Sequence, residues 1–405
     1  NPNFNGSVTS NFLTINGEGI TNISGTLYAD KTVVNLEKFE FDEEQGGHYM
    51  ARAGMSTVGD KRLFGTLQVT NGRVSNLLSL LGKPVDKLDG SLSGTVDLGG
   101  TYGNPSLNVV GSIKDVTIDT KVVGDAKIDA SLENRKFKIR TLKLPVDDGL
   151  IAAGGTVDLD GDADLQIAVR DVDIEPFLPL IGDNINATGS ITGVINMTGA
   201  TQNPKVELSA SLANGSYNGI DIDQGFVLAT MENHVINVQR IQGVKEDYKL
   251  SAYGKIPLAA LYTTGYLDAN DSKAMDMTID FNEADMAVIP LITPTVKDAT
   301  GALKGVVHVT GTIDQPEAYG TVSVRNGTMK IKTVGNELKD IDGDLIFSGQ
   351  QADFQSRISA GKGTAGLAAK VNWTGHTMTS YRAAIQLDGL DLSNGYISGP
   401  LKGEL

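Results

Sequence analysis

Apolar residues occupy every second position over long parts of this chain. The stretch 189–204, GSITGVINMTGATQNP, has Ile191, Ile195 and Met197 in this register, together with Gly193. A period of two is typical of a β-strand with one apolar face. The pattern stops at a glycine-to-proline turn and then starts again, which predicts a second strand beside the first.

The same stretch recurs along the chain. The pattern G-x-[LI]-x-G-x-[VI]-x-[LMV]-x-G-x-x-x-x-P matches residues 90–105, 189–204 and 301–316, and the copies start 189 − 90 = 99 and 301 − 189 = 112 residues apart. Asn1-Pro2 resembles the end of an earlier copy. A recurring motif of this kind predicts a repeat architecture. We expect residues 1–405 to be one continuous β-groove cut from a longer protein, with approximate units 1–89, 90–188, 189–300 and 301–398 and the start of a further unit at 399–405.

Turns and short helices are predicted between the alternating stretches. Apolar segments at 74–81, 174–181 and 286–292 have helical spacing or contain prolines that limit them to a turn or two. Dipeptides typical of hairpin turns are Asp160-Gly161, Asn214-Gly215, Asn326-Gly327 and Asp388-Gly389.

This distribution predicts an all-β fold with a few short helices. An apolar sheet face has to be buried, and the chain has too little helix to cover it. About seven strands per unit would give about 28 strands, and an open twisted sheet beyond about ten strands must curl. We therefore expect one long antiparallel sheet that curls into a U-shaped hydrophobic groove. The alternative is an ordinary core inside a closed β-sandwich or solenoid.

Composition narrows the function classes. The net charge of −15 argues against nucleic acid and against anionic lipid headgroups as electrostatic partners. With no cysteine, disulfides and thiolate metal sites are excluded. Aromatic residues make up only 6% of the chain, so the predicted apolar face is aliphatic.

No motif for catalysis or metal binding stands out. The acidic cluster at 158–164 has its glycine at the fourth position where a calcium loop needs it at the sixth, so a solvated hairpin turn is the simpler interpretation. The four histidines lie far apart, and His308 alternates with valines, which predicts a position on the polar face. We expect no enzyme activity, no metal and no cofactor other than a bound phospholipid or similar acyl lipid.

The residues expected to line the groove share the apolar register. They are Leu92, Val96, Leu98, Leu107, Val109, Ile128, Ile167, Ile191, Ile195, Met197, Val206, Leu208, Met277, Ile279, Leu303, Val307, Val309, Val322, Val324 and Ile385.

The segments 311–316, 320–327 and 338–347 (GTIDQP, GTVSVRNG and LKDIDGDLIF) resemble the TamB-like and AsmA-like proteins of diderm bacteria. This resemblance implies a periplasmic protein that bridges the inner and outer membranes and passes phospholipids along a β-groove. It also implies an N-terminal inner-membrane anchor outside this sequence and an outer-membrane barrel partner of the TamA type.

Two other functions compete with lipid transport. A scaffold for outer-membrane barrel or autotransporter assembly would pair an open edge strand with its substrate by strand augmentation. A purely structural surface fibre would carry no lipid. The lipid class, the direction and energy source of transfer, and the oligomeric state are left open by the sequence.

Overall fold

A computed structural model describes residues 3–44, 46–80, 82, 87–181, 186–217, 220–246, 248–261, 272–292, 295–333, 335–360, 362–393 and 398–404. About 79% of the structure is strand and 6% is helix. The 25 strands form one long antiparallel sheet that is not closed on itself. The predicted fold class is therefore confirmed, with an open sheet where a closed sandwich was the alternative.

The chain divides into two compact units. The first contains residues 1–185 and 190–206, and the second contains residues 186–189 and 207–405. The division falls inside the motif copy at 189–204.

The strands of the first unit pair with their neighbours in chain order. They are β1 (Phe4–Ile15), β2 (Glu18–Ala29), β3 (Val33–Glu43), β4 (His48–Ser56), β5 (Leu63–Arg73), β6 (Leu88–Thr101), β7 (Asn104–Ile118), β8 (Lys121–Glu133), β9 (Lys136–Val146), β10 (Gly149–Asp158), β11 (Asp162–Asp173) and β12 (Ala187–Ala200), whose first residues belong to the second unit. Two helices, α1 (Val74–Leu80) and α2 (Leu178–Ile181), follow β5 and β11.

From β14 onward the second unit has the same up-and-down order, except that β17 pairs with β19, and β18 and β19 both pair with β20. Its strands are β13 (Lys205–Tyr217), β14 (Ile220–Glu232), β15 (Val235–Lys245), β16 (Tyr248–Pro257), β17 (Met275–Glu283), β18 (Val296–Thr300), β19 (Leu303–Gly311), β20 (Pro316–Ile331), β21 (Leu338–Gly349), β22 (Gln351–Ala360), β23 (Gly363–Thr374), β24 (Thr377–Ser393) and β25 (Ser398–Glu404). Its helices are α3 (Leu258–Leu261) and α4 (Ile289–Ile292).

The predicted short helices are present. Helix α1 covers the described part of 74–81, because Leu81 lies outside the described residues. A 3-10 turn at Glu175–Phe177 precedes α2, and another at Met286–Val288 precedes α4. Each segment is limited to a few turns, so these helices cover only local parts of the sheet.

Asparagine and aspartate residues in the left-handed conformation bend many strands. Four of them each place one extra residue in the strand, which makes a β-bulge, and the N–H of each donates to a side chain on the next strand. The donor–acceptor pairs are Asn71 with Ser93 Oγ (2.9 Å), Asp115 with Asp125 Oδ1 (2.9 Å), Asp171 with Thr192 Oγ1 (3.0 Å) and Asn326 with Asp342 Oδ1 (2.9 Å). The bulge turns the following residue into the core, as Val116 and Val172 show.

Three of the four predicted hairpin turns are wrong. Asn214-Gly215, Asn326-Gly327 and Asp388-Gly389 lie inside strands β13, β20 and β24. Only Asp160-Gly161 joins two strands, β10 and β11. The bulge and the hairpin both use residues with positive φ, so the same dipeptides serve either structure.

Two clusters of buried side chains form local cores, one in each unit. In the first unit, Val116, Ile118 and Val172 pack with Phe177 from the 3-10 turn before α2. In the second, Met286 from the 3-10 turn before α4 packs with a larger set of buried side chains. Among the described residues, the helical segments before α2 and α4 thus pack against the apolar face at these two cores.

Candidate functional site

One face of the first unit carries only apolar side chains across strands β5–β12. The strand register aligns Leu67 with Val96, Val96 with Val109 and Val109 with Ala130, and it continues through Ile167 and its neighbours to β12. Between the bulges, every position on this side of the eight strands is Gly, Ala, Val, Leu, Ile, Met, Phe or Pro. We call this surface the apolar face of the first unit.

The structure brings together the lining residues predicted for this unit. Cross-strand partners include Leu98 with Leu107, Val96 with Val109 and Ile167 with Ile195. The side chain of Ile195 is 36% exposed. The other predicted lining residues of this unit are partly buried, and they are Leu92, Val96, Leu98, Leu107, Val109, Ile128, Ile167, Ile191, Met197 and Val206.

The second unit has a corresponding apolar face, which is more deeply filled. Met277 pairs with Val309, and Ile279 pairs with Val307. Val307 is only 4% exposed. Among the predicted lining residues, those buried in the local core are Leu303, Val307, Val322 and Val324, and those partly buried are Leu208, Met277, Ile279, Val309 and Ile385.

The same motif position therefore lies in different surroundings in different copies. Val96, Ile195 and Val307 all come six residues after the first glycine of the motif. Val307 is packed in the core beside the turn before α4, whereas Val96 is partly buried and Ile195 is 36% exposed. The motif fixes the face on which a side chain lies, but its burial differs between the copies.

The opposite face of the sheet is polar. Arg140 donates from Nε to Asp129 Oδ1 at 2.7 Å and from Nη1 to Ser131 Oγ at 2.9 Å. Hydrogen bonds from the Ser323 hydroxyl and from Arg325 lower the pKa of the Asp344 carboxyl. His308 is exposed on this face, as predicted. The two faces of the sheet thus differ sharply in polarity.

The first strands carry an apolar cavity that the sequence pattern did not single out. It has a volume of about 320 Å³ and lies at β1–β3, where Phe4, Val8, Leu27, Leu36 and Phe39 contribute to its wall. The alternation of these residues was visible in the sequence, but their enclosure of a cavity depends on the bend of the strands.

A second cavity lies in the second unit, next to the 3-10 turn Met286–Val288. It has a volume of about 300 Å³, and its wall includes Ile241, Leu250, Ile279 and Val288. Of these, only Ile279 was predicted to line the groove. The others could not be selected because the position of the turn over β15–β17 is a tertiary contact.

The two buried carboxylates stabilise the fold locally. Glu43 accepts hydrogen bonds from the Tyr49 hydroxyl at 2.5 Å and from the Arg73 N–H at 3.0 Å. Burial and the Glu43 carboxylate raise the pKa of the Tyr49 phenol. Asp285 accepts from the N–H groups of Ala287 and Gly301, at 2.8 and 2.7 Å. Both carboxylates are thus fully occupied by neighbouring groups.

The acidic turn at 158–164 is held by ion pairing. Arg135 binds both carboxylate oxygens of Asp160, and this contact lowers the pKa of the Asp160 carboxyl. Across the described part of the chain, no group of three or more His, Cys, Asp or Glu side chains is arranged to hold a metal ion. The described helices are all too short or too polar to cross a membrane.

No protein-family model matches this chain, and neither a curated protein nor a solved structure matches it.

Proposed function

We propose that this protein carries lipids, with their acyl chains lying against the apolar face and their headgroups in water. Its place would be the periplasm of a diderm envelope, between an inner-membrane anchor and a TamA-type outer-membrane barrel. The location and both partners rest on the sequence resemblance to TamB-like proteins alone. The lipid-binding part of the proposal rests on the geometry of the sheet.

The observation that carries the proposal is the apolar register that runs, between the bulges, across the described residues of β5–β12, where most of the side chains are only partly buried. Eight strands at a spacing of about 4.8 Å span about 34 Å. The motif positions from Leu92 to Leu98 add about 20 Å along each strand, so the face has a footprint of about 700 Å², of which the exposed area is a part because its side chains are partly buried. Apolar patches on soluble monomers usually stay within about 300–600 Å². A patch of this size is typical of a binding surface.

The chemistry of the face favours hydrocarbon as the ligand. Its side chains are almost all aliphatic, and between the bulges they include no charged or hydrogen-bonding group. A peptide or sugar would leave its polar groups unpaired against such a surface, at a cost of about 1–3 kcal/mol each. An acyl chain has no polar groups to satisfy and gains about 0.8 kcal/mol for each buried methylene.

Lipid extraction from the purified protein tests the proposal. We expect mass spectrometry to detect phospholipid at a fixed ratio to protein after detergent-free purification. Ile128→Asn, on the apolar face, should lower that ratio, because it places an amide among the acyl chains. Lys127→Asn is the matched control, because the exposed Lys127 is the preceding residue and lies on the opposite face.

The outcomes separate the competing functions. Protein that contains no acyl lipid, or an unchanged ratio in Ile128→Asn, would overturn lipid carriage. Crosslinks from an edge strand to a barrel protein, in the absence of bound lipid, would instead support strand augmentation.

A further inference from the structure

A cavity lies beside the 3-10 turn Met286–Val288, on the apolar side of the second unit. Strands β15, β16 and β17 form its floor, and the turn residues Ala287 and Val288 close one side. Most of its wall is hydrocarbon. Charged and phenolic groups are confined to a few residues near the strand ends, among them Lys245, Tyr248 and Asp221.

We propose that this cavity is a discrete binding site for one acyl chain of a lipid with an anionic headgroup. The proposal rests on the proposed function for the identity of the ligand as a lipid, and it adds a fixed site with its own selectivity. The chain would lie against Ile241, Leu250 and Ile279. The headgroup would lie at the cavity edge formed by Lys245 and Tyr248.

The size of the cavity fits a single chain. Liquid water occupies about 30 Å³ per molecule, so about ten groups of that size fill 300 Å³. A hydrocarbon chain of about ten carbons would fill this volume. The volume is at the lower end of the range of about 300–1,000 Å³ that is usual for small-molecule sites.

Lys245 places a cation on the apolar side of the sheet. Gly243 pairs with Leu250, and two residues further on Lys245 pairs with Tyr248, so these four residues share one face. Lys245 is partly buried, and it makes no ion pair within the described part of the chain. Its ammonium group is therefore available to a ligand that enters the cavity.

The neighbouring charges decide which headgroup is preferred. Lys249 forms an ion pair with Glu283 at 3.0 Å, and both oxygens of the buried Asp285 are occupied by backbone N–H groups. Asp221 is exposed and opposes an anionic ligand, as does the net charge of −15, so the preference for an anion depends on the local ammonium group of Lys245. Lys245 thus supplies the main attraction, and removing the Asp221 charge should strengthen binding of anions.

Gly243 offers a way to block the cavity without disturbing the strand. A Cβ atom added at this residue would meet no atom within 4 Å, and the residue lines the cavity. Gly366 on β23 also faces open space, but its cross-strand partners Arg357 and Gln386 are on the opposite, polar side of the sheet. Phenylalanine at either position adds the same side chain, so Gly366→Phe is a matched control for Gly243→Phe.

Calorimetric titration of the lipid-free full chain with dodecanoate tests the site. We expect one saturable site that Gly243→Phe weakens about tenfold or more, because the new ring takes the volume of several methylenes. Gly366→Phe should bind as the wild type. Lys245→Gln should weaken dodecanoate about three- to tenfold and leave binding of a neutral dodecyl glycoside unchanged. Asp221→Asn should strengthen dodecanoate binding.

Wild-type affinity in Gly243→Phe, or equal losses in both phenylalanine variants, would overturn the proposal. If Lys245→Gln weakened dodecanoate and the dodecyl glycoside equally, the proposed preference for an anionic headgroup would be refuted. Trp373 fluorescence and hydrogen exchange should show that each variant is folded.

The two proposals, the binding site and lipid carriage, can be refuted independently of each other. If dodecanoate binds as described but no phospholipid purifies with the protein, the proposed lipid carriage is refuted and the binding site is supported. If phospholipid purifies with the protein but Gly243→Phe does not change dodecanoate binding, the binding site is refuted and lipid carriage is supported.

Discussion

The substitutions Ile195→Asp and Val307→Asp change the same motif position in two different surroundings. Val307 is 4% exposed and packs in the core of the second unit. Its replacement loses about 1.5–3 kcal/mol of apolar burial, and an uncompensated buried carboxylate costs about 3–5 kcal/mol more. We expect a loss of about 4.5–8 kcal/mol in the free energy of unfolding.

Ile195 should respond differently. It is 36% exposed, so about two-thirds of its apolar burial is at stake, which is about 1–2 kcal/mol. The new carboxylate can reach water and needs no partner. The protein should stay folded, while the lipid recovered per protein falls because a charge now lies among the acyl chains.

Amide hydrogen exchange measured on β12 and β19 separates the two cases. Val307→Asp should speed exchange in β19 strongly, and Ile195→Asp should change β12 only slightly. Val306→Asn is the control for β19, because Val306 is the preceding residue and is exposed on the polar face. Equal acceleration in both aspartate variants, or full lipid content in Ile195→Asp, would refute the reasoning.

Three further predictions concern stability. Ser356→Ala should raise the free energy of unfolding by up to about 1 kcal/mol, because the Ser356 hydroxyl is buried without a partner in the described structure. Urea unfolding followed by Trp373 fluorescence should then have a higher midpoint, and a lower midpoint would contradict this. Hydrogen bonds from Thr32 hold the pKa of Asp30 at about 2, below its usual 3.8, so its stabilising effect is present above about pH 4 and is lost as the pH falls towards about 2; an NMR titration with a midpoint near 4 would be inconsistent. Gly305→Ala should lower the melting temperature, because its φ of 149° suits glycine and a Cβ would strike the next strand, whereas Gly243→Ala should leave it unchanged.

Much of the fold could be predicted from the alternation of apolar residues. A period of two fixes which side chains share a face, so it places Val96, Val109 and Ile195 on one surface, and the strand register aligns them with apolar partners on neighbouring strands. The short helices at 174–181 and 286–292 followed from apolar segments that prolines interrupt.

The bulges and the cavities could not be predicted in the same way. Asn326-Gly327 has the sequence of a hairpin turn, and only its pairing with β21 makes it a bulge. The burial of Val307 and the cavity near Ile241 both depend on where the turn before α4 packs. That contact joins residues distant in the chain, so the spacing of apolar residues along the sequence does not predict it.

Photo-crosslinking at two adjacent residues tests the central claim most directly. Val109 lies on the apolar face of β7, and Val110 is 47% exposed on the opposite face. A benzophenone amino acid at residue 109 should crosslink to phospholipid in cells that express the protein, and the same group at residue 110 should not. Equal lipid crosslinking at both residues, or none at residue 109, would contradict the account.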